Sequence, residues 1–119
     1  MMQVLLVALG GALGSAARYG VGVAVARALG TGFPWGTLLI NVVGGVLIGI
    51  LAARTTPESE NMRLLIGVGV LGGFTTFSTF SLESVRLFEH SPMLSVAYMT
   101  ASLLLSVGGC ALGLLIGRP

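Results

Sequence analysis

The sequence predicts an all-α membrane protein with four transmembrane helices in one domain, the third broken near the bilayer midplane. Three observations carry that expectation. Of 119 residues, 55% are apolar and only 8% charged, so the chain lacks the charges needed to cover a water-facing surface. Mean hydropathy is +1.00, and a hydrocarbon core of ~30 Å takes about 20 residues per helix, a length the apolar stretches fill four times. Finally, Gly72-Gly73-Phe74-Thr75-Thr76-Phe77-Ser78-Thr79-Phe80-Ser81 places a glycine pair and a hydroxyl-rich run inside the third stretch.

The same composition excludes other classes. The basic residues are all arginine (Arg18, Arg27, Arg54, Arg63, Arg86, Arg118) and scattered, so the pI near 9.3 reflects no patch for nucleic acid. A lone Cys110 in an apolar run gives neither a disulfide framework nor a CxxC metal site and reads as a packing residue. Ala24-Val25-Ala26 has the small residues of a signal-peptide cleavage site, but residues 1–17 contain no Lys or Arg and Arg18 interrupts the apolar run, so no leader is expected.

The first span, 3–26, carries Gly10 and Gly14 at small-xxx-small spacing, which lets helix backbones approach closely in lipid. Arg18 lies toward its second end, where it snorkels, draws anions into a vestibule or pairs with a carboxylate such as Glu83. The second span, 34–53, adds Gly45/Gly49 and stacks Thr37 and Asn41 on one face near mid-depth. The Asn41 amide offers two donors to an anion or, equally, an interhelical bond that glues the bundle.

The third span, 63–90, is expected to break over 73–79, with the glycine pair about ten residues from Arg63 and Thr79 about seven from Arg86. At 1.5 Å per residue the interruption falls near the midplane, where unwound backbone is tolerated only if buried in protein or lining a cavity. Such breaks commonly build ion sites; the alternative is a packed kink whose hydroxyls bond i−4 carbonyls. Phe77 and Phe80 flank Ser78 and Thr79 there, and a ring edge touches an anion without trapping it as a cation would. Glu83 and Arg86 read as a local ion pair, Glu58 and Glu60 as solvated connection charges, and His90 as a surface residue. Gly67 to Gly72 satisfies GxGxxG, but with no preceding strand and no acidic residue about twenty positions on, it is not a nucleotide site.

The fourth span, 93–117, repeats the small-residue face at Gly109, Gly113 and Gly117. Tyr98, Ser102 and Ser106 form a hydroxyl ladder about 12 Å long on one face, either an anion track or three helix-satisfied hydroxyls. The glycine faces are expected to divide between intramolecular packing and a subunit interface. Without paired carboxylates at mid-depth, a His/Cys cluster, GxSxG or Walker A, no enzyme is expected.

Arg54, Arg63 and Arg118 fall on one side, Arg27 and Arg86 on the other with Arg18 leaning that way, so the positive-inside rule selects no orientation. Dual insertion is therefore expected, and an antiparallel two-fold dimer would supply the inverted repeat that larger transporters encode in one chain. Two third-helix breaks meeting at its axis would aim carbonyls near Gly72 to Thr75 at one point, suited to a small hard cation, sodium.

Through Gly10-Gly11-Ala12-Leu13-Gly14 with Arg18-Tyr19, Gly36-Thr37-Leu38-Leu39-Ile40-Asn41-Val42-Val43-Gly44, and residues 72–81, the sequence resembles the Fluc (CrcB-type) family of bacterial fluoride channels. The resemblance covers essentially the whole chain. It implies an antiparallel dual-topology homodimer in the cytoplasmic (inner) membrane, passive fluoride export against fluoride toxicity, two pores, and a central structural Na+ on the backbone carbonyls of Gly72 and Thr75. It also implies pore contacts at Phe77, Phe80 and Asn41, with Thr37, Ser78 and Thr79 beside them, a hydroxyl track at Tyr98, Ser102 and Ser106, and functional charges at Arg18 and Glu83. A small multidrug exporter shares size and layout but needs an acid in the first span, which here holds Arg18 and none. A noncatalytic assembly subunit would leave the break and the Asn41 face without a use.

Overall fold

The computed structural model describes residues 1–119, helical apart from short connections. Helix α1, Met2–Leu29, stops at Gly30, whose φ of 80° only glycine adopts at little cost. Pro34 precedes α2, Trp35–Arg54. A 3₁₀ turn at Pro57–Ser59 leads into α3, residues 60–74, which winds as a π-helix over Arg63–Leu71. Gly67 and Gly69 lie in that wider winding and lack the β-carbons that hold a helix to its usual rotamer-packed pitch. Helix α4 covers Ser78–His90 and α5 Pro92–Gly117. Ser91 alone connects them: its hydroxyl accepts from the Leu94 N–H at 3.4 Å, and Pro92, with no N–H to leave unpaired, opens the helix.

Four helical stretches are long and apolar enough to cross a membrane: Met2–Leu29, Trp35–Arg54, Pro57–His90 and Pro92–Gly117. The molecule measures 48 × 29 × 23 Å, and its long axis matches a bilayer of about 40–45 Å with headgroups. Within the third stretch, residues 75–77 are not helical, and Thr75 is extended at φ −83° and ψ 158°. That segment is shorter than the 73–79 expected from sequence. Gly72 and Gly73 stay helical, and Gly73 serves close packing: a β-carbon there would lie 2.7 Å from the Gly11 carbonyl oxygen.

Two seams hold the bundle, α1 along α3 and α2 along α5. On the first, a β-carbon at Gly10 or Gly14 would collide with the backbone oxygens of Leu65 and Val70; on the second, Gly49 and Gly113 meet those of Cys110 and Val46. The glycines of these faces, with Gly69 and Gly73 at the same spacing on the third span, all have atoms of their own chain within 4 Å of that position, so each takes part in packing inside the chain. Only 16 of 119 residues are buried, and the apolar side chains among them are Ile40, Leu71, Phe80 and Tyr98. Cohesion thus comes from backbones in contact, as it must where lipid removes the hydrophobic drive between helices.

Two charge expectations are corrected. Arg86 does not pair with Glu83; the one ion pair joins Arg63 to Glu60 through two bonds of 2.8 and 3.1 Å, so Glu60 is partnered. Both partners are exposed at the start of α3, where such a pair adds little stability.

Candidate functional site

The non-helical residues between α3 and α4 are held from α2. Asn41 Nδ2 donates to the Thr76 carbonyl at 3.0 Å while Asn41 Oδ1 accepts from the Thr76 N–H at 2.9 Å, so one carboxamide pairs with both polar groups of one residue. This satisfies backbone that the interruption would otherwise leave unbonded in lipid. One Nδ2 hydrogen of Asn41 stays free for another acceptor. Arg18 Nε donates to the Gly73 carbonyl at 3.3 Å, tying a positive charge to the C-terminal end of α3, where the helix dipole is negative. Arg18 therefore makes no pair with Glu83.

Hydroxyls around the interruption divide into two groups. Thr75 and Ser81 donate to the carbonyls four residues back, Leu71 and Phe77, each at 2.9 Å, and Thr76 Oγ1 accepts from the Thr79 N–H at 3.2 Å. Ser102 and Ser106 behave otherwise: both hydroxyls are buried and neither has a hydrogen-bond partner. They are not helix-satisfied. Tyr98, fully buried, donates its hydroxyl to Glu83 Oε1 at 3.3 Å.

Two cavities meet at this segment. The larger, about 680 Å³, is lined by Arg18, Thr37, Thr76, Thr79 and Glu83 among others. The smaller, about 360 Å³, is lined by Asn41, Phe77, Phe80, Ser102 and Ser106, together with Gly72, Thr75 and Thr76. The residues singled out from sequence thus fall into two sets, while Ser78 and Tyr98 line neither cavity. Thr76, which sequence reasoning passed over, lines both; its only sequence signal is its place inside the hydroxyl-rich run.

Aromatic rings continue the arrangement. Phe77 and Phe80 are 5.5 Å apart, Phe80 and Tyr98 5.3 Å, and Tyr98 meets Phe33 edge-on at 5.4 Å. Phe33, in the α1–α2 connection, was not legible as a site residue because it meets Tyr98 only when α2 and α5 pack. Phe80 is 9% exposed, whereas Phe77 is 73% exposed and projects from the chain's surface. The gathered chemistry is one of neutral hydroxyl and amide donors and aromatic rings about the smaller cavity, with the guanidiniums of Arg18 and Arg86 and the Glu83 carboxylate about the larger, an arrangement of donors that can meet a small anion without trapping it.

Comparison with known proteins gives a consistent result. The family described as "CrcB-like protein, Camphor Resistance (CrcB)" matches residues 5–114. A protein of Caulobacter sp. (strain K31) named "Fluoride-specific ion channel FluC" is 50% identical, with 99% of this chain and 96% of that protein covered. One of the same name from Agrobacterium fabrum is 52% identical over 99% of this chain and 98% of its own length. A third, from Nitrobacter winogradskyi, is 50% identical over 97% and 94%.

Proposed function

From the premise that this chain belongs to the CrcB family, we propose that it is a fluoride-specific ion channel of the inner membrane that lets cytoplasmic fluoride leave passively. The relatives' name supplies the ion, and the observation that carries the path is the convergence of Asn41, Phe77, Phe80, Ser102 and Ser106 on one cavity. Hydrogen fluoride crosses membranes uncharged and dissociates in a less acidic cytoplasm, trapping the anion. A pore returns it, driven by a negative-inside potential worth ~2.3 kcal/mol per 100 mV for one charge. Selectivity comes from a narrow path with hydroxyl, amide and ring-edge donors matched to a small ion. Arg18, Thr37, Thr79 and Glu83 form the wider side, where the guanidinium draws anions in.

The working unit in this reading is an antiparallel dual-topology homodimer with two pores. The even division of arginines supports dual insertion, and the outward Phe77 supports a second copy covering that face. A structural Na+ at the dimer axis fits the donors present: the carbonyls of Gly72 and Thr75 accept no hydrogen bond and both residues line the smaller cavity. When bound, the ion supplies positive charge against the C-terminal ends of the two α3 helices.

Fluoride efflux from proteoliposomes holding the purified protein, beside chloride efflux with valinomycin clamping the potential, tests the reading. Fast fluoride release with negligible chloride release is expected. Well-reconstituted protein that releases no fluoride overturns it.

A further inference from the structure

Helix α4 carries Phe80 and cannot take its setting from α3, because the non-helical residues 75–77 separate the two. Its 13 residues pack chiefly on α5, which follows after Ser91 alone, and touch α2 only slightly. The rotation of α4 about its own axis therefore depends on what α5 offers it. A ring that lines a narrow cavity needs that rotation fixed, since a small turn of the helix carries the ring out of place.

Two side chains of α5 supply the grip. Ser95 and Tyr98 lie three residues apart, on one face of the helix, and neither has any exposed surface. Tyr98 donates to Glu83 Oε1 at 3.3 Å, and Ser95 Oγ donates to the carbonyl of the next residue, Ser84, at 2.6 Å. The first bond ends on a carboxylate that can swing on its own side chain. The second ends on backbone, so it holds the helix itself. A buried helical serine ordinarily returns its hydroxyl to the carbonyl one turn back, as Ser84 does in donating to the Phe80 carbonyl at 2.7 Å. Ser95 departs from that habit: the Ser91 carbonyl one turn back takes the Ser95 N–H at 3.0 Å, while the hydroxyl crosses to α4. Ser84 is 6% exposed, so little water reaches the pair to compete. Ser84 thus stands between α5 and the ring, its carbonyl held by Ser95 and its hydroxyl holding the backbone of Phe80.

We propose that Ser95 is a positioning residue for the fluoride path: its bond to the Ser84 carbonyl sets the rotation of α4 and with it the place of the Phe80 ring. The inference rests on the fluoride-channel reading and deepens it. Neither Ser95 nor Ser84 lines either cavity, so neither meets the ion, and both act through Phe80.

The test is Ser95→Ala in the full-length protein, made alone and again in a Phe80→Ile background. Proteoliposomes are prepared at low protein density, so that the total fluoride released counts working channels and the initial rate per working channel reports conduction. Made alone, Ser95→Ala is expected to lower that rate about fivefold, the loss of one hydrogen bond, with the number of working channels and the size-exclusion elution unchanged. In the Phe80→Ile background, with no ring left to place, it is expected to change the rate by less than twofold. Phe80→Leu serves as the background if Phe80→Ile passes no fluoride. A residue that only held the fold together would reduce the number of working channels and leave the rate of each alone. A rate decrease smaller than twofold for Ser95→Ala alone, or one of twofold or more in the second background, overturns the positioning role and leaves the channel standing. If Ser95→Ala fails to assemble, Ser95→Cys, which donates only weakly, decides by the same thresholds. Unmodified protein that passes no fluoride overturns both readings together.

Discussion

The carboxamide of Asn41 is bound at both ends to one residue, which makes it the side chain whose loss should be felt furthest. Asn41→Ala leaves the Thr76 N–H without its partner, at about 1–3 kcal/mol, and should lower the thermal unfolding midpoint of the detergent-solubilised protein while abolishing fluoride efflux. An unchanged midpoint would show that the pairing does not hold the interruption in place. Phe80 calls for a different experiment, because its ring is packed between Phe77 and Tyr98 and lines the cavity. Phe80→Ile keeps an apolar, half-filled site but removes the ring edge, so the protein should assemble and lose fluoride flux by about tenfold, as the loss of one contact of ~1.4 kcal/mol requires. Unchanged flux in liposomes would dispose of the ring-edge role. At this scale the residue types were legible in the sequence, and their partners were not. Tyr98, Ser102 and Ser106 share helical spacing, yet Tyr98 bonds Glu83 while the two serines bond nothing, a division made by what α4 brings opposite each turn.

Among the elements, α1 and α2 are each defined by the helix that their glycines admit. Gly14→Ala drives a methyl into the Val70 carbonyl and Gly113→Ala another into that of Val46, and neither backbone can yield cheaply. Each should cost about 1–3 kcal/mol, read as a lower unfolding midpoint and less protein eluting at the assembled position. Gly108→Ala is the matched control, since nothing lies within 4 Å of its added carbon, and it should behave as wild type. Equal behaviour of all three would contradict the seams. Small-xxx-small spacing announced close approach in the sequence but not the partner. The choice of α3 for α1 and α5 for α2 depends on the turns between helices, above all the one-residue link at Ser91 that lays α5 beside α4. The π-helical winding of Arg63–Leu71 had no sequence signal, because glycine permits it without demanding it.

For the whole molecule, dual insertion is the property with the sharpest consequence. A C-terminal tag should be open to protease from either face of sealed vesicles in comparable amounts. Several lysines placed after Arg118 should fix one orientation and abolish fluoride efflux, and co-expression with a chain locked the opposite way should restore it. Conduction by the singly locked chain would rule out the antiparallel pair. Composition and local pattern suffice for the solvent and the chemistry: 55% apolar composition with 8% charge points to a bilayer, and a hydroxyl-rich run beside a glycine pair implies polar backbone at depth. Those are sums and local patterns, which need no partner to be read. The tertiary structure alone decided where the helix is interrupted, which donors stay unpaired and how the site residues divide between two cavities. A hydrogen bond such as that of Asn41 to Thr76 joins residues 35 positions apart, and only packing chooses between the anion and the backbone as the partner of an amide.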